Sequence, residues 1–114
     1  MMISEHTLQA LVLRHLAYYA KRDVWWFAIP NAGRRTGRAG ARLRSEGMRR
    51  GVADLCFMLP AGKCAWLEMK TENGRLSDEQ QGFQAICKRL KHPYVVARTI
   101  DEAIIALKSW DILR

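Results

Sequence analysis

Asp54, Glu68 and Lys70 are the residues of this chain whose types and spacing can do chemistry. They lie on two apolar runs, Gly51-Val52-Ala53-Asp54-Leu55 and Trp66-Leu67-Glu68-Met69-Lys70. Between the runs, Pro60-Ala61-Gly62-Lys63 supplies the turn chemistry of a hairpin. Side chains alternate faces along a strand, so Glu68 and Lys70 share one face with Trp66, roughly 7 Å apart. Ala65, Leu67 and Met69 point to the other face. Counting back from the turn brings Asp54 level with Glu68–Lys70 to within about one residue, and a slip of that size would turn it to the wrong face. Two carboxylates at such a distance repel, and one takes up a proton unless a cation lies between them. A hard divalent cation such as Mg²⁺ takes oxygen ligands from one or two carboxylates, water and a substrate phosphate. A lysine beside it can orient an attacking water and stabilise charge developing at phosphorus. The competing reading is a same-face ion pair on a solvated strand. Apolar runs on both strands speak against it, because unpaired charge in a buried sheet is expensive.

The flanking sequence must hold this pair in place. Ser4 can cap a helix running to about Ala20, with Leu8, Val12, Leu16 and Tyr19 as its buried stripe and Leu11 beside it. Glu5 falls on the same stripe, either facing the carboxylates or simply favouring the helix dipole from the first turn. Gln9 lies one turn on, near the same site or solvated. Val24–Ile29, bounded by Pro30, reads as a first strand. Its tryptophans suit a core or a dimer surface better than base stacking. The two site strands are expected at about 52–59 and 64–71. Ser77-Asp78-Glu79-Gln80 fits a capping box opening a helix to about Leu90, with Phe83, Ile86, Cys87 and Leu90 buried. Pro93–Arg98 is a short strand, and Thr99-x-x-Glu102 caps a last helix through Trp110, with Ala103, Leu107 and Trp110 toward the sheet. The expected order is αβββαβα, in one α/β domain over residues 1–114.

Composition narrows the function classes. The 114 residues suffice for one domain with a modest core. No apolar run is long enough to span a bilayer, and no signal-peptide pattern opens the chain, so a cytoplasmic protein is expected. The three cysteines, Cys56, Cys64 and Cys87, sit in apolar runs and read as reduced core residues. His6, His15 and His92 are isolated, which argues against a zinc site. The net charge is +8, and between Asn31 and Ala53 lie seven arginines and one acid. That concentration is a phosphate-binding footprint, or else a solvated basic loop or an arm for acidic protein or lipid. On the first reading a loop at about 32–51, with a helical turn or two around Ala39–Ser45, orders on DNA. There Arg34, Arg35, Arg38, Arg42, Arg49 and Arg50 contact backbone phosphates. The segment lacks the apolar face of a membrane helix.

Asp54 followed by Glu68-Met69-Lys70 resembles the PD-(D/E)xK nuclease signature, with Ala53 in place of the proline. The ordered set narrows this further: Glu5 and Gln9 on the first helix, Asn31-Ala32-Gly33, Gly51-Val52-Ala53-Asp54, Glu68-Met69-Lys70-Thr71, and Gly74-Arg75-Leu76-Ser77 with Gln80. Over nearly the whole chain it is similar to the VRR-NUC (virus-type replication-repair nuclease) domain in its small stand-alone form. The resemblance implies a restriction-endonuclease-like core with a mixed central sheet between helices. It implies a Mg²⁺- or Mn²⁺-dependent DNA endonuclease with no small-molecule cofactor, leaving 5′-phosphate and 3′-hydroxyl ends. Asp54, Glu68 and the Met69 carbonyl would hold the metal, with Glu5 a direct ligand or one acting through water. Lys70 and Gln80 would position the attacking water, and Asn31 would touch substrate phosphate. For Gln80 the capping box is a rival role, and for Asn31 a turn is. The resemblance also implies a homodimer acting on branched DNA such as four-way (Holliday) junctions, in a bacterium or a phage-infected host. A nuclease of the same fold on linear DNA, and a basic nucleic-acid-binding module that does not cut, are the alternatives.

Overall fold

The computed structural model describes residues 2–30 and 37–114. Helix α1 (Glu5–Tyr19) starts where the Ser4 side chain accepts the Thr7 amide. Strand β1 (Trp25–Ala28) follows, then helix α2 (Gly37–Ser45). Strands β2 (Leu55–Leu59) and β3 (Lys63–Met69) are joined by a single helical turn at Pro60–Gly62. In that turn Ala61 adopts a left-handed φ of 66°. Helix α3 (Asp78–Leu90), strand β4 (Tyr94–Ala97) and helix α4 (Ile100–Ser109) complete the chain. The sheet order is β1-β2-β3-β4, antiparallel across the first three strands and parallel between β3 and β4. The parallel step needs a crossover, which α3 provides. This is a mixed α/β sheet flanked by helices, as the sequence predicts.

Strand alternation divides the sheet into two faces. Leu55, Phe57, Ala65, Leu67 and Met69 are fully buried with Leu8, Val12 and Leu16 of α1 and Ala103 and Leu107 of α4. Each large aliphatic side chain so buried contributes roughly 1.5–3 kcal/mol. The opposite face lies under α3, where Phe83 packs edge-on against Trp66 and Tyr94 at ring separations of 5.1 and 5.9 Å. Glu68 and Lys70 belong to this second face, so the chemistry is kept out of the main core.

Several boundaries differ from the sequence reading. Helix α2 is a full element of nine residues where a turn or two is expected, so the order gains one helix. Tyr19 is exposed and does not join the stripe of α1. On α3, Cys87 is buried and Phe83 half-buried, but Ile86 and Leu90 are exposed. The α3 stripe is therefore narrower than its apolar spacing predicts. Cys64 is half-buried, while Cys56 and Cys87 are buried, and all three are free thiols. The site strands are shorter than expected: Asp54 precedes β2 and Lys70 follows β3.

Candidate active site

The β2–β3 register pairs Leu55 with Leu67 and Cys56 with Trp66, which puts Asp54 opposite Glu68. The slip that would have turned Asp54 away does not occur. The ladder ends there in an unusual way. Met69 falls opposite Ala53, ahead of β2, and its amide donates to Asp54 Oδ2 at 2.7 Å instead of to a strand carbonyl. The Asp54 carbonyl meanwhile accepts the Ile29 amide at 2.9 Å, tying β1 to the same point. Beyond Met69 the chain stays attached to β4, since the Lys70 amide donates to the Ala97 carbonyl. The sheet thus forks at the carboxylates, with β3 leaving β2 and continuing along β4.

Glu68 is 2% exposed, which is rare for a carboxylate without a bound cation. Burial pushes its pKa from 4.5 up to about 9, helped by a hydrogen bond with Asp54 and by the Asp54 charge, against the pull of Lys70. The neighbouring carboxylates repel, and a cation placed between them would relieve that repulsion. Lys70 is nearly buried, with its Nζ 3.8 Å from Glu5 Oε2 across the site. Gln80 serves two partners: its Oε1 accepts the Ser77 amide at 2.8 Å and its Nε2 reaches Glu68 Oε1 at 3.4 Å. The capping box and the site contact coexist.

The end of the basic segment is seated on this same turn of α3. Gly51 has a φ of +89°, and a Cβ there would lie 2.3 Å from the Glu79 carbonyl oxygen and 2.8 Å from the Gln80 nitrogen. Only glycine permits both the backbone angle and the approach. The structure therefore brings Asp54, Glu68, Lys70, Glu5 and Gln80 together, with the Met69 carbonyl at the end of the ladder. Arg38 and Arg42 are exposed on α2, where Arg42 lies 3.8 Å from Glu46, and Arg49 and Arg50 are exposed beyond it. Asn31, Arg34 and Arg35 lie outside the described residues.

Among the described residues no group of three or more His, Cys, Asp and Glu is gathered as for a metal ion. The acids form a tight pair, with Glu5 set back on Lys70. An all-oxygen pair completed by a backbone carbonyl fits a hard cation that draws its remaining ligands from water and phosphate. Sequence reasoning missed Arg98, whose Nη1 donates to the carbonyls of Thr71 at 2.9 Å and Gly74 at 2.5 Å. That clamp fixes the loop leaving Lys70. No sequence signal marks it, because its acceptors are backbone atoms far along the chain.

A family model described as the VRR-NUC domain matches residues 6–100. The chain belongs to the VRR-NUC family. The match takes in Asp54, Glu68, Lys70 and Gln80 and begins one residue after Glu5. Two solved structures share the fold. One, titled "VRR_NUC domain protein", superposes with a TM-score of 0.77 at 16% identity, covering 96% of this chain and 89% of that one. The other, "VRR_NUC domain", has a TM-score of 0.64 at 14% identity, covering 95% and 99%. No curated protein matches the chain by sequence. VRR-NUC membership gives the chain a nuclease-type function with DNA as its substrate. No helix among the described residues is long and apolar enough to cross a membrane.

Proposed function

We propose that this VRR-NUC domain is a Mg²⁺- or Mn²⁺-dependent DNA endonuclease with Asp54, Glu68 and Lys70 as its catalytic set. The observation that carries the reading is the Asp54–Glu68 pair at the sheet fork, with Lys70 beside it. Asp54, Glu68 and the Met69 carbonyl would hold the metal, with Glu5 farther out. A bound divalent cation supplies a more acidic water and stabilises the leaving oxygen. Lys70 holds a positive charge at the same mouth, suited to orienting the water and countering charge at phosphorus. Its ion pair with Glu5 ties the ammonium to α1 beside the carboxylate pair. Gln80 holds the Glu68 carboxyl in place. The exposed arginines of α2 and of residues 49–50 would grip backbone phosphates without reading sequence.

One site per chain cuts one strand, so paired cuts call for a symmetric dimer, the commonest oligomer. An apolar surface at the β1 edge supports that reading: Trp25 and Phe27 of β1, with ring centroids 5.5 Å apart, and Met58 of the neighbouring β2 are all exposed. A dimer with two such sites suits branched DNA, four-way junctions included, in a bacterial or phage-infected cytoplasm. The test is cleavage of a labelled four-way junction and its matching linear duplex with Mg²⁺, Mn²⁺ or EDTA, beside the Lys70→Ala protein. Metal-dependent, symmetric junction cuts that the variant loses, with DNA binding retained, are expected. Equal cutting by both proteins would sink the assignment of Lys70. Binding without cutting in either metal would favour the non-catalytic module, and preference for the duplex would favour a linear-DNA nuclease.

A further inference from the structure

A groove of about 940 Å³ runs beside α3 and the open edge of β4. Arg75, Lys88, His92 and Arg98 line it, with Gln81 and Gln84 between them, and no aspartate or glutamate does. This basic surface is separate in sequence from the arginines of α2, and charge counting over residues 31–53 does not find it. A concave wall of one charge sign concentrates counter-ions of the other.

Three features say what kind of anion the groove suits. First, Arg98 is held in place: its Nη1 donates to the neutral carbonyls of Thr71 and Gly74, and among the described residues its guanidinium is in no ion pair, Glu102 accepting only its backbone amide. Second, Arg75 precedes α3, Lys88 lies in its last turn and His92 follows it, with Gln81 and Gln84 on the helix between them. Basic groups at both ends of a helix suit an extended chain of anions better than one compact anion. Third, the groove is built on the same segments that carry the site. Gln81 lines it while its neighbour Gln80 contacts Glu68, and the loop after Lys70 supplies Arg75.

We infer that this groove binds the phosphodiester backbone of the DNA substrate beyond the scissile phosphate, as a second contact surface opposite the arginines of α2. The inference rests on the nuclease reading above. Arg75 and Lys88 make phosphate contacts. Gln81 and Gln84 donate to phosphate or sugar oxygens, and Arg98 both clamps the loop and adds its remaining guanidinium donors.

The test is fluorescence anisotropy of a labelled duplex and a labelled four-way junction in EDTA, so that binding is read without cleavage. Wild type is compared with Arg75→Glu/Lys88→Glu and with the charge-conserving Arg75→Lys/Lys88→Arg, all three checked for equal thermal melting. Each lost phosphate contact lowers the slope of log K against log salt by about 0.9, so the reversal variant should lose about two units of slope. At moderate salt its affinity should fall at least tenfold, and the conserving variant should match wild type. Unchanged affinity and slope in the reversal variant would overturn the inference while leaving metal-dependent cutting by wild type intact. A groove that instead takes a compact anion would show as inorganic pyrophosphate raising the melting temperature of wild type but not of the reversal variant, with DNA affinity equal in both. Failure of wild type to bind DNA at all would overturn the nuclease reading and this inference together.

Discussion

Replacing Glu68 with Gln should make the metal-free protein more stable at high pH and deaf to divalent metal. The folded pKa of about 9 stands above the ordinary value of 4.5. Between those values the native state holds a proton that the unfolded chain has released. Stability therefore falls as pH rises, by up to about 1.4 kcal/mol per pH unit for one proton. From about pH 6 to about pH 8 that amounts to roughly 3 kcal/mol, relative to a variant that cannot ionise there. At roughly 4 °C per kcal/mol for a domain of this size, the melting temperatures should diverge by about 10 °C across that interval. Glutamine keeps the shape and stays neutral, so Glu68→Gln lacks this slope. Metal competes with the Glu68 proton, so saturating Mg²⁺ or Mn²⁺ should restore wild-type stability increasingly as pH rises. It should leave Glu68→Gln unchanged. The assay is thermal melting by circular dichroism across pH, in EDTA and in each metal. Parallel pH profiles for the two proteins in EDTA would refute the argument that the folded, metal-free protein keeps Glu68 protonated.

Two further substitutions separate roles that overlap in the fold. Gln80→Ala should cost about 1 kcal/mol through the lost capping box and should also slow cleavage; Gln80→Glu retains the cap but has no N–H for Glu68, so it should keep stability and lose activity. Equal destabilisation of both in thermal melts would contradict this division. Ala61→Gly should stabilise the hairpin by up to about 1 kcal/mol, because alanine bears a left-handed φ of 66° that costs roughly 1–2 kcal/mol before the entropy of glycine is set against it; a lower urea midpoint in the variant would contradict it.

Much of the site was legible because hairpin geometry is local. The turn at 60–63 and the period of two brought Asp54 level with Glu68–Lys70 to within about one residue, and the same period sent Leu67 and Met69 to the core; the strand pairing fixed the register with Asp54 opposite Glu68. The capping box at Ser77 and the Thr99 N-cap marked helix starts for the same reason, although at Thr99 the Glu102 carboxylate takes the Arg98 amide and closes no box. What escaped were features set by distant packing. Helix α2 was hidden by Gly37 and Gly40, poor helix formers, one of which is buried against the fold. The apolar residues Ile86 and Leu90 look like core by spacing, yet α3 turns them away from the sheet. The strands stop short because the Asp54 carboxylate takes the Met69 amide that a longer β2 would have used. The Arg98 clamp and the α3 groove join segments that only the fold brings together.

The seat of Gly51 on α3 has a mechanical meaning. Side chains between two segments act as springs, since rotamers shift and absorb small displacements. Between Gly51 and residues 79–80 there is no such spring, because peptide group rests directly on peptide group. Peptide planes are stiff. A push or pull on the arginine-bearing segment at this joint therefore bears directly on the backbone of the α3 turn that carries Gln80.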